Sequence, residues 1–300
     1  MKRILLNQNK VMVKLYFNKA SKKLYNIYLG LTQRIYGNLQ DFFLNVNFFK
    51  DHNKNIIKVA ICAVAKYEDY YLEEWLDYNY KLGFDHIFLF QNDWRTNLER
   101  PFLTKKIWDG KSIQLKVYNN FLKNNTEYDW IALIDCDEFI VLKKHNNIQT
   151  FIEEFKEKTN VIALNWYMYG SLGLEKRQGN SLIKMFKMRD EQPNHHIKVI
   201  ANKCVNKKSG PIMDLPHNTT KKSMDTNGKF FNGPYNPDGP TDIAYINHYY
   251  YKTKEDWDLR CIRGRVDCEI PHNMNIWEDE KNTKNNMEDL SAYNFMYGDL

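Results

Sequence analysis

Residues 130–139 read Trp-Ile-Ala-Leu-Ile-Asp-Cys-Asp-Glu-Phe. The apolar opening predicts a strand covered on both faces. The strand runs into three carboxylates, Asp135, Asp137 and Glu138. Buried carboxylates are costly without a counter-charge, so the segment needs a cation or a donor network. Asp135 and Asp137 lie two positions apart, which puts both side chains on one side of extended backbone. No His and no Cys cluster stands beside them. Oxygen donors of this kind suit Mg²⁺ or Mn²⁺ better than zinc, and such a metal bridges phosphate oxygens. The alternative is a row of acids opening a solvated turn. The apolar strand in front of them and the acids at other strand ends favour a site.

Outward from this stretch the pattern alternates between strand and helix. Residues 56–65 form a continuous apolar run, a buried strand. Residues 69–82 follow at helical period, with Leu72, Trp75, Leu76 and Tyr80 on one face and Gly83 as the stop. Strands are expected over 86–90, 112–118, 130–134 and 161–166, a short helix over about 119–129, a helix over 148–158 and a strand-like run over 243–251. This predicts an α/β fold with a mostly parallel sheet flanked by helices. Ligands collect at the carboxyl ends of such strands. Those ends carry Lys66, Glu68 and Asp69, then Asn92 and Asp93, then Asp135 and Asp137.

Composition narrows the function. Of 300 residues, 43% are hydrophobic and 27% charged, which fits a globular chain and excludes a disordered one. No apolar run is long enough to span a membrane, and Ile4-Leu5-Leu6 is too short for the core of a signal peptide. The net charge of +6 is unevenly spread: residues 1–58 hold eleven Lys and Arg against two acids, and the rest is slightly acidic. A nucleic-acid groove is therefore not expected. Residues 1–55 read as a basic amphipathic helical arm, with Leu24, Ile27, Leu31, Ile35, Leu39 and Phe42 at steps of three and four. That stripe serves equally for packing on the catalytic body or for peripheral anchoring on an anionic membrane surface. Five scattered cysteines without a CxxC pair read as reduced thiols of a cytoplasmic protein. No GxxxxGK[ST] and no GxGxxG occurs, which argues against a P-loop enzyme and a dinucleotide oxidoreductase. An aspartate-nucleophile phosphatase also begins from a strand ending in Asp-x-Asp. It normally continues with Thr or Val where Phe139 stands, and it does so near the start of its domain.

Taken in order, several segments resemble the metal-dependent GT-A glycosyltransferases, in particular the group around glycosyltransferase family 92 and its bacterial family-2-like relatives. Residues 65–75, Ala-Lys-Tyr-Glu-Asp-Tyr-Tyr-Leu-Glu-Glu-Trp, resemble a K-N-E segment followed by L-x-E-W. Residues 82–87 resemble an L-G-x-D-H strand entry, and 130–139 the W-I-x-x-x-D-x-D-E-F core. Asn165-Trp166 with Tyr169-Gly170-Ser171, Asn247-His248-Tyr249 through Lys252-Thr253, and Arg263-Gly264 complete the series. The resemblance covers about residues 57–265. The chain departs from the pattern at Tyr67, where the family carries Asn, and at residues 91–96, where only Asn92 of a D-N-x-S-x-D turn is kept.

The resemblance implies a GT-A catalytic domain over 56–265; residues 266–300 lie outside it and are read as a tail or a lid. It implies Mn²⁺ or Mg²⁺ held by Asp137, Asp135 and His248, with Asp135 alternatively on the ribose. Lys66, Glu68, Asn92, Asp135, Lys252, Arg260 and Arg263 would bind the donor, and Trp166 and Tyr169 the acceptor. Inversion at the anomeric carbon needs a carboxylate base, for which Glu175 is preferred over Asp214. The expected activity is transfer of a hexose from a nucleotide sugar, UDP-galactose first, to a surface glycan or glycolipid such as lipopolysaccharide or capsule. The expected location is the inner membrane face. A non-catalytic glycan- or nucleotide-binding homologue and a metal-dependent phosphohydrolase are the competing readings.

Overall fold

The computed structural model describes residues 57–206, 210–280 and 283–298, so the expected arm over 1–55 lies outside the described residues. Strand β1 (Val59–Ala65) is the buried axis, with every residue covered. It pairs in parallel with β2 (His86–Gln91) on one side and β4 (Trp130–Leu133) on the other, so that Cys62 stands opposite both Phe88 and Leu133. Cover on both faces is why its sequence is uninterruptedly apolar. Helix α1 (Asp69–Lys81) buries Tyr71, Leu72, Trp75, Leu76 and Tyr78. Gly83 follows at φ 103°, where a side chain would be strained and its Cβ would stand 2.7 Å from Gln149 Oε1.

One expected strand is a helix. Residues 112–118 alternate in a way that suits extended backbone, yet α2 runs over Gln114–Asn124. The reason is the longer repeat: Gln114, Val117, Tyr118, Phe121 and Leu122 are the buried positions, at steps of three and one. The third strand is instead β3 (Leu103–Ile107), parallel to β2. Its Lys-Lys sequence and half-exposed pattern belong to a sheet edge.

Beyond β4 come β5 (Glu138–Leu142), α3 (Ile148–Phe155) and β6 (Val161–Met168). The short pieces α4 (Leu182–Met185) and β7 (Met188–Arg189) lead to the long strand β8 (Asn194–Asn202). β8 lies between β6 and β4 and runs antiparallel to both. Its first residues therefore sit at the carboxyl end of β6, with Asn194 opposite Trp166. Four short strands follow, β9 (Met213–Leu215), β10 (Asn218–Thr219), β11 (Ser223–Met224) and β12 (Phe230–Phe231). Strand β13 (Ala244–His248) joins β6 in parallel and β5 in antiparallel register. Helix α5 (Lys254–Arg263) opens on a reciprocal Thr253–Asp256 cap. The result is a mostly parallel, curled α/β sheet flanked by helices.

Residues after 265 fold onto this body. Trp277 in α6 (Ile276–Glu280) is fully buried and donates to the Lys252 carbonyl. Strand β14 (Met287–Glu288) pairs with β7, and α7 (Ser291–Tyr297) covers Glu74 through Tyr297. Among the described residues no helix is long and apolar enough to cross a membrane, and all five cysteines are free.

Candidate active site

The carboxyl ends of β1, β4, β6 and β13 converge with the start of β8 and the inner face of α5 on a cavity of about 320 Å³. A second hollow of about 550 Å³ adjoins it and shares Lys66, Glu68, Tyr250, Arg260 and Arg263. Both volumes fall in the range of small-molecule sites.

Asp135 and Asp137 leave β4 in different directions. Asp135 accepts from Gln114 Nε2 at 2.6 Å and from Lys198 Nζ at 2.7 Å. Lys198 comes from β8 and is buried. Burial opposes its charge, but Asp135 and Glu138 hold its pKa above the ordinary lysine value. Glu138 accepts the Asp135 backbone N–H at 3.0 Å, while its Oε1 is buried without a hydrogen bond. Burial raises its pKa well above the usual carboxylate range.

Asp137 meets the other cations. Arg260 donates to its Oδ2, and Lys252 Nζ lies 3.3 Å from the same oxygen. Burial alone would raise its pKa, yet Lys252, Arg260 and His248 hold the carboxyl far below its ordinary value. Its Oδ1 faces His248 Nε2 at 3.6 Å. Burial lowers His248 to about 3, so the ring is neutral at pH 7 and a ring nitrogen keeps a free lone pair. A carboxylate oxygen and an imidazole nitrogen at this spacing fit two positions of one divalent cation. Substrate oxygens and water would complete the shell, as is usual for Mg²⁺. Asp135, bound to Lys198, does not turn toward this point, and no group of three His, Cys, Asp or Glu side chains that could hold a metal occurs among the described residues.

The remaining walls are cationic and aromatic. Arg263 pairs with Glu68 at 2.6 Å, and Lys252 reaches the same carboxylate at 3.4 Å. Lys252 and Tyr67 both adopt left-handed backbone, with φ of 51° and 55°. Arg260 and Arg263 lie three apart on α5 and so project from one face. Trp166 packs between imidazoles: His196 is stacked on it at 5.1 Å, while His248 and His217 meet it edgewise at 4.4 and 5.3 Å.

Of the residues expected from sequence, Lys66, Glu68, Asp135, Asp137, Trp166, His248, Lys252, Arg260 and Arg263 line these two hollows. Four others lie elsewhere. Asn92 is fully buried, and its amide ties the end of β2 to the Trp108 and Gly110 carbonyls. Tyr169 is a core ring packed on Tyr249, with its hydroxyl on the Asp289 carbonyl. Glu175 is exposed and lines neither hollow, and Asp214 is exposed while its neighbour His217 lines the cavity. Lys198, Gln114, His196, His217 and the Arg265–Asp267 pair complete the site without having been singled out in sequence. For Lys198 a signal existed. It is the one charged residue inside the apolar run Ile197–Ala201, and a charge in a buried strand needs a partner.

The model of a family described as glycosyltransferase family 92 matches residues 106–291. A glycosyltransferase family 92 protein of Ricinus communis is 19% identical over 256 residues, covering 79% of this chain and 41% of its own length. One of Oryza sativa subsp. japonica is 21% identical over 236 residues, covering 75% of this chain and 38% of its own. The chain thus spans about two fifths of the length of these curated relatives.

Proposed function

This chain belongs to glycosyltransferase family 92, and from that premise we propose that it transfers a hexosyl group from a nucleotide sugar to a glycan acceptor, with inversion at the anomeric carbon. The observation that carries the reading is the meeting of Asp137, His248, Lys252 and Arg260 at the carboxyl ends of the sheet. A site that must release a diphosphate needs fixed positive charge aimed at the leaving group. Lys252, Arg260 and Arg263 supply it, each already held by Asp137 or Glu68. A divalent cation, Mn²⁺ or Mg²⁺, adds charge neutralisation on the diphosphate when bound. Asp137 through Oδ1 and His248 through Nε2 would hold it. Asp135, fixed by Lys198 and Gln114, is left to accept a ribose hydroxyl. Lys66 and Glu68 line the nucleoside side, and Trp166, packed among His196, His217 and His248, lines the cavity wall on the acceptor side.

Galactose is the sugar we would supply first, and a lipopolysaccharide or capsule precursor the acceptor. The basic arm over 1–55 is assigned to an anionic membrane surface on the cytoplasmic side, which co-sedimentation with anionic against neutral vesicles tests. The test of the main reading is nucleoside diphosphate release from a panel of UDP- and GDP-sugars with Mn²⁺. Slow release from one donor, abolished by chelator and by Asp137→Ala, supports it. A panel in which no nucleotide sugar binds or turns over removes it.

A further inference from the structure

The start of strand β8 reaches the site. Its register against β6 shifts between Ile197, opposite Asn165, and Asn194, opposite Trp166, so residues 195 and 196 stand at an irregularity in the strand. Asn194 and His196 line the same 320 Å³ cavity as Asp135, Asp137 and His248, and Lys198, two residues further on, reaches Asp135.

Its tautomer is fixed by its surroundings. Asn194 Oδ1 accepts the backbone N–H of His196 at 2.9 Å and lies 2.8 Å from His196 Nδ1. An amide end that accepts a backbone N–H must be the oxygen, so it can only accept from the ring as well. The ring proton therefore sits on Nδ1, and Nε2 carries the lone pair. Nε2 makes no hydrogen bond among the described residues and keeps some exposure, on a residue that lines the cavity. The ring itself is held by parallel stacking on Trp166, 12° from coplanar, and by edge contact with Tyr235 at 4.8 Å. Burial, with His195 and Lys198 beside it, keeps its pKa below the ordinary histidine value.

We propose that His196 is the general base of the transfer. This rests on the transferase reading given above. The acceptor hydroxyl binds to Nε2. Its oxygen attacks the anomeric carbon as the bond from that carbon to the diphosphate oxygen breaks. The bonding pair leaves with the diphosphate, and the hydroxyl proton passes to Nε2. Asn194 Oδ1 holds the Nδ1–H throughout and keeps the imidazolium in place. Carboxylates within the cavity are less suited, because those of Glu68, Asp135, Asp137 and Asp267 are each paired with a lysine or arginine.

The experiment compares wild type with His196→Gln, His196→Ala and Asn194→Ala, using the nucleotide sugar that wild type hydrolyses in the donor panel, with water as acceptor. Thermal melts verify folding of each variant, and donor affinity is measured by calorimetry. The expected result is a fall in kcat of about 100-fold or more for both His196 variants. Donor Kd should stay within twofold, and added imidazole should restore part of the activity of His196→Ala. Asn194→Ala should lose kcat with little change in Kd. A kcat kept within threefold in His196→Gln and His196→Ala overturns the assignment, as does a loss matched by equal loss of donor binding. Either result leaves the transferase reading standing. Wild type that binds and hydrolyses no nucleotide sugar overturns both.

Discussion

Lys198 Nζ lies 2.7 Å from Asp135 Oδ2 and 3.5 Å from Glu138 Oε1, and the lysine is almost fully buried. The first aspartate of the acidic motif is thus neutralised from within the protein, by a lysine 63 residues further along the chain. Lys198→Met removes the charge and leaves two carboxylates facing each other in a buried wall. Breaking such a pair costs about 3–5 kcal/mol. Urea denaturation should show that loss, and a variant of unchanged midpoint would refute the role.

Asp137 holds two cations and faces His248. Asp137→Asn keeps the shape but removes the charge, so Arg260 and Lys252 lose their shared counter-ion. Turnover should fall about 100-fold or more, in line with loss of an electrostatic group at a reacting centre. Chelator added to wild type should reproduce the loss, and titration with Mn²⁺ should reverse it in wild type only. Chelator-resistant activity would exclude the two-ligand metal arrangement at Asp137 and His248.

Glu74 accounts for the acidic position of the L-x-E-W segment structurally. It is buried, accepts from the backbone of Leu182 at 2.7 Å and of Ile183 at 3.3 Å, and takes the hydroxyl of Tyr297 at 2.7 Å. Ser181 Oγ donates to it as well. Glu74→Ala leaves these donors unmatched, at about 1–3 kcal/mol for the hydrogen-bonding groups. The melt should drop while donor affinity stays as in wild type. A variant with unchanged melting and weakened donor binding would move Glu74 into the site instead.

Tyr67 sits at φ 55°, a region that costs a non-glycine residue about 1–2 kcal/mol. Its side chain is 57% exposed, so little packing is lost on replacing it. Tyr67→Asn, which tolerates this backbone, should raise stability by about 1 kcal/mol, or about 2–4 °C in a domain of this size. A lower melting temperature would show that the ring holds the loop.

Several imidazoles are kept neutral in the fold. Burial lowers His217 to about 2 and His272 to about 4, against about 6.5 in an unfolded chain. Between these values the unfolded chain binds protons that the folded one does not, so stability rises with pH there and falls as pH drops below about 6.5. Thermal melts from pH 7 to pH 5 should decline before ordinary aspartates titrate. His217→Asn should flatten the slope, and an unchanged slope would mean that His217 does not contribute.

The local sequence determined the elements that carry their own periodicity. Residues 59–65 and 130–133 are strands because an apolar run covered on both faces has no other economical use. Helix α1 and its stop at Gly83 follow from a 3.6-residue stripe and one permissive residue. The order of motifs also led to the expectation that the acidic strand end, His248, Lys252, Arg260 and Arg263 lie together, and they line the two adjoining hollows. The strand expected at 112–118 was not a failure of pattern but of window: its helical repeat becomes clear only once Phe121 and Leu122 are included.

Which side chains meet is set by the packing of the elements. Nothing local tells that Lys198 neutralises Asp135 or that His196 stacks on Trp166, because β8 reaches both by inserting antiparallel between β4 and β6. Asn92, Tyr169 and Glu175 sit at strand ends or in loops that sequence marks as promising. Their side chains take backbone carbonyls, core packing or solvent according to where the chain turns afterwards. Periodicity reports the burial of one element, whereas a site is a relation among several. That relation is set by sheet order and register, which long-range contacts fix and no single segment encodes.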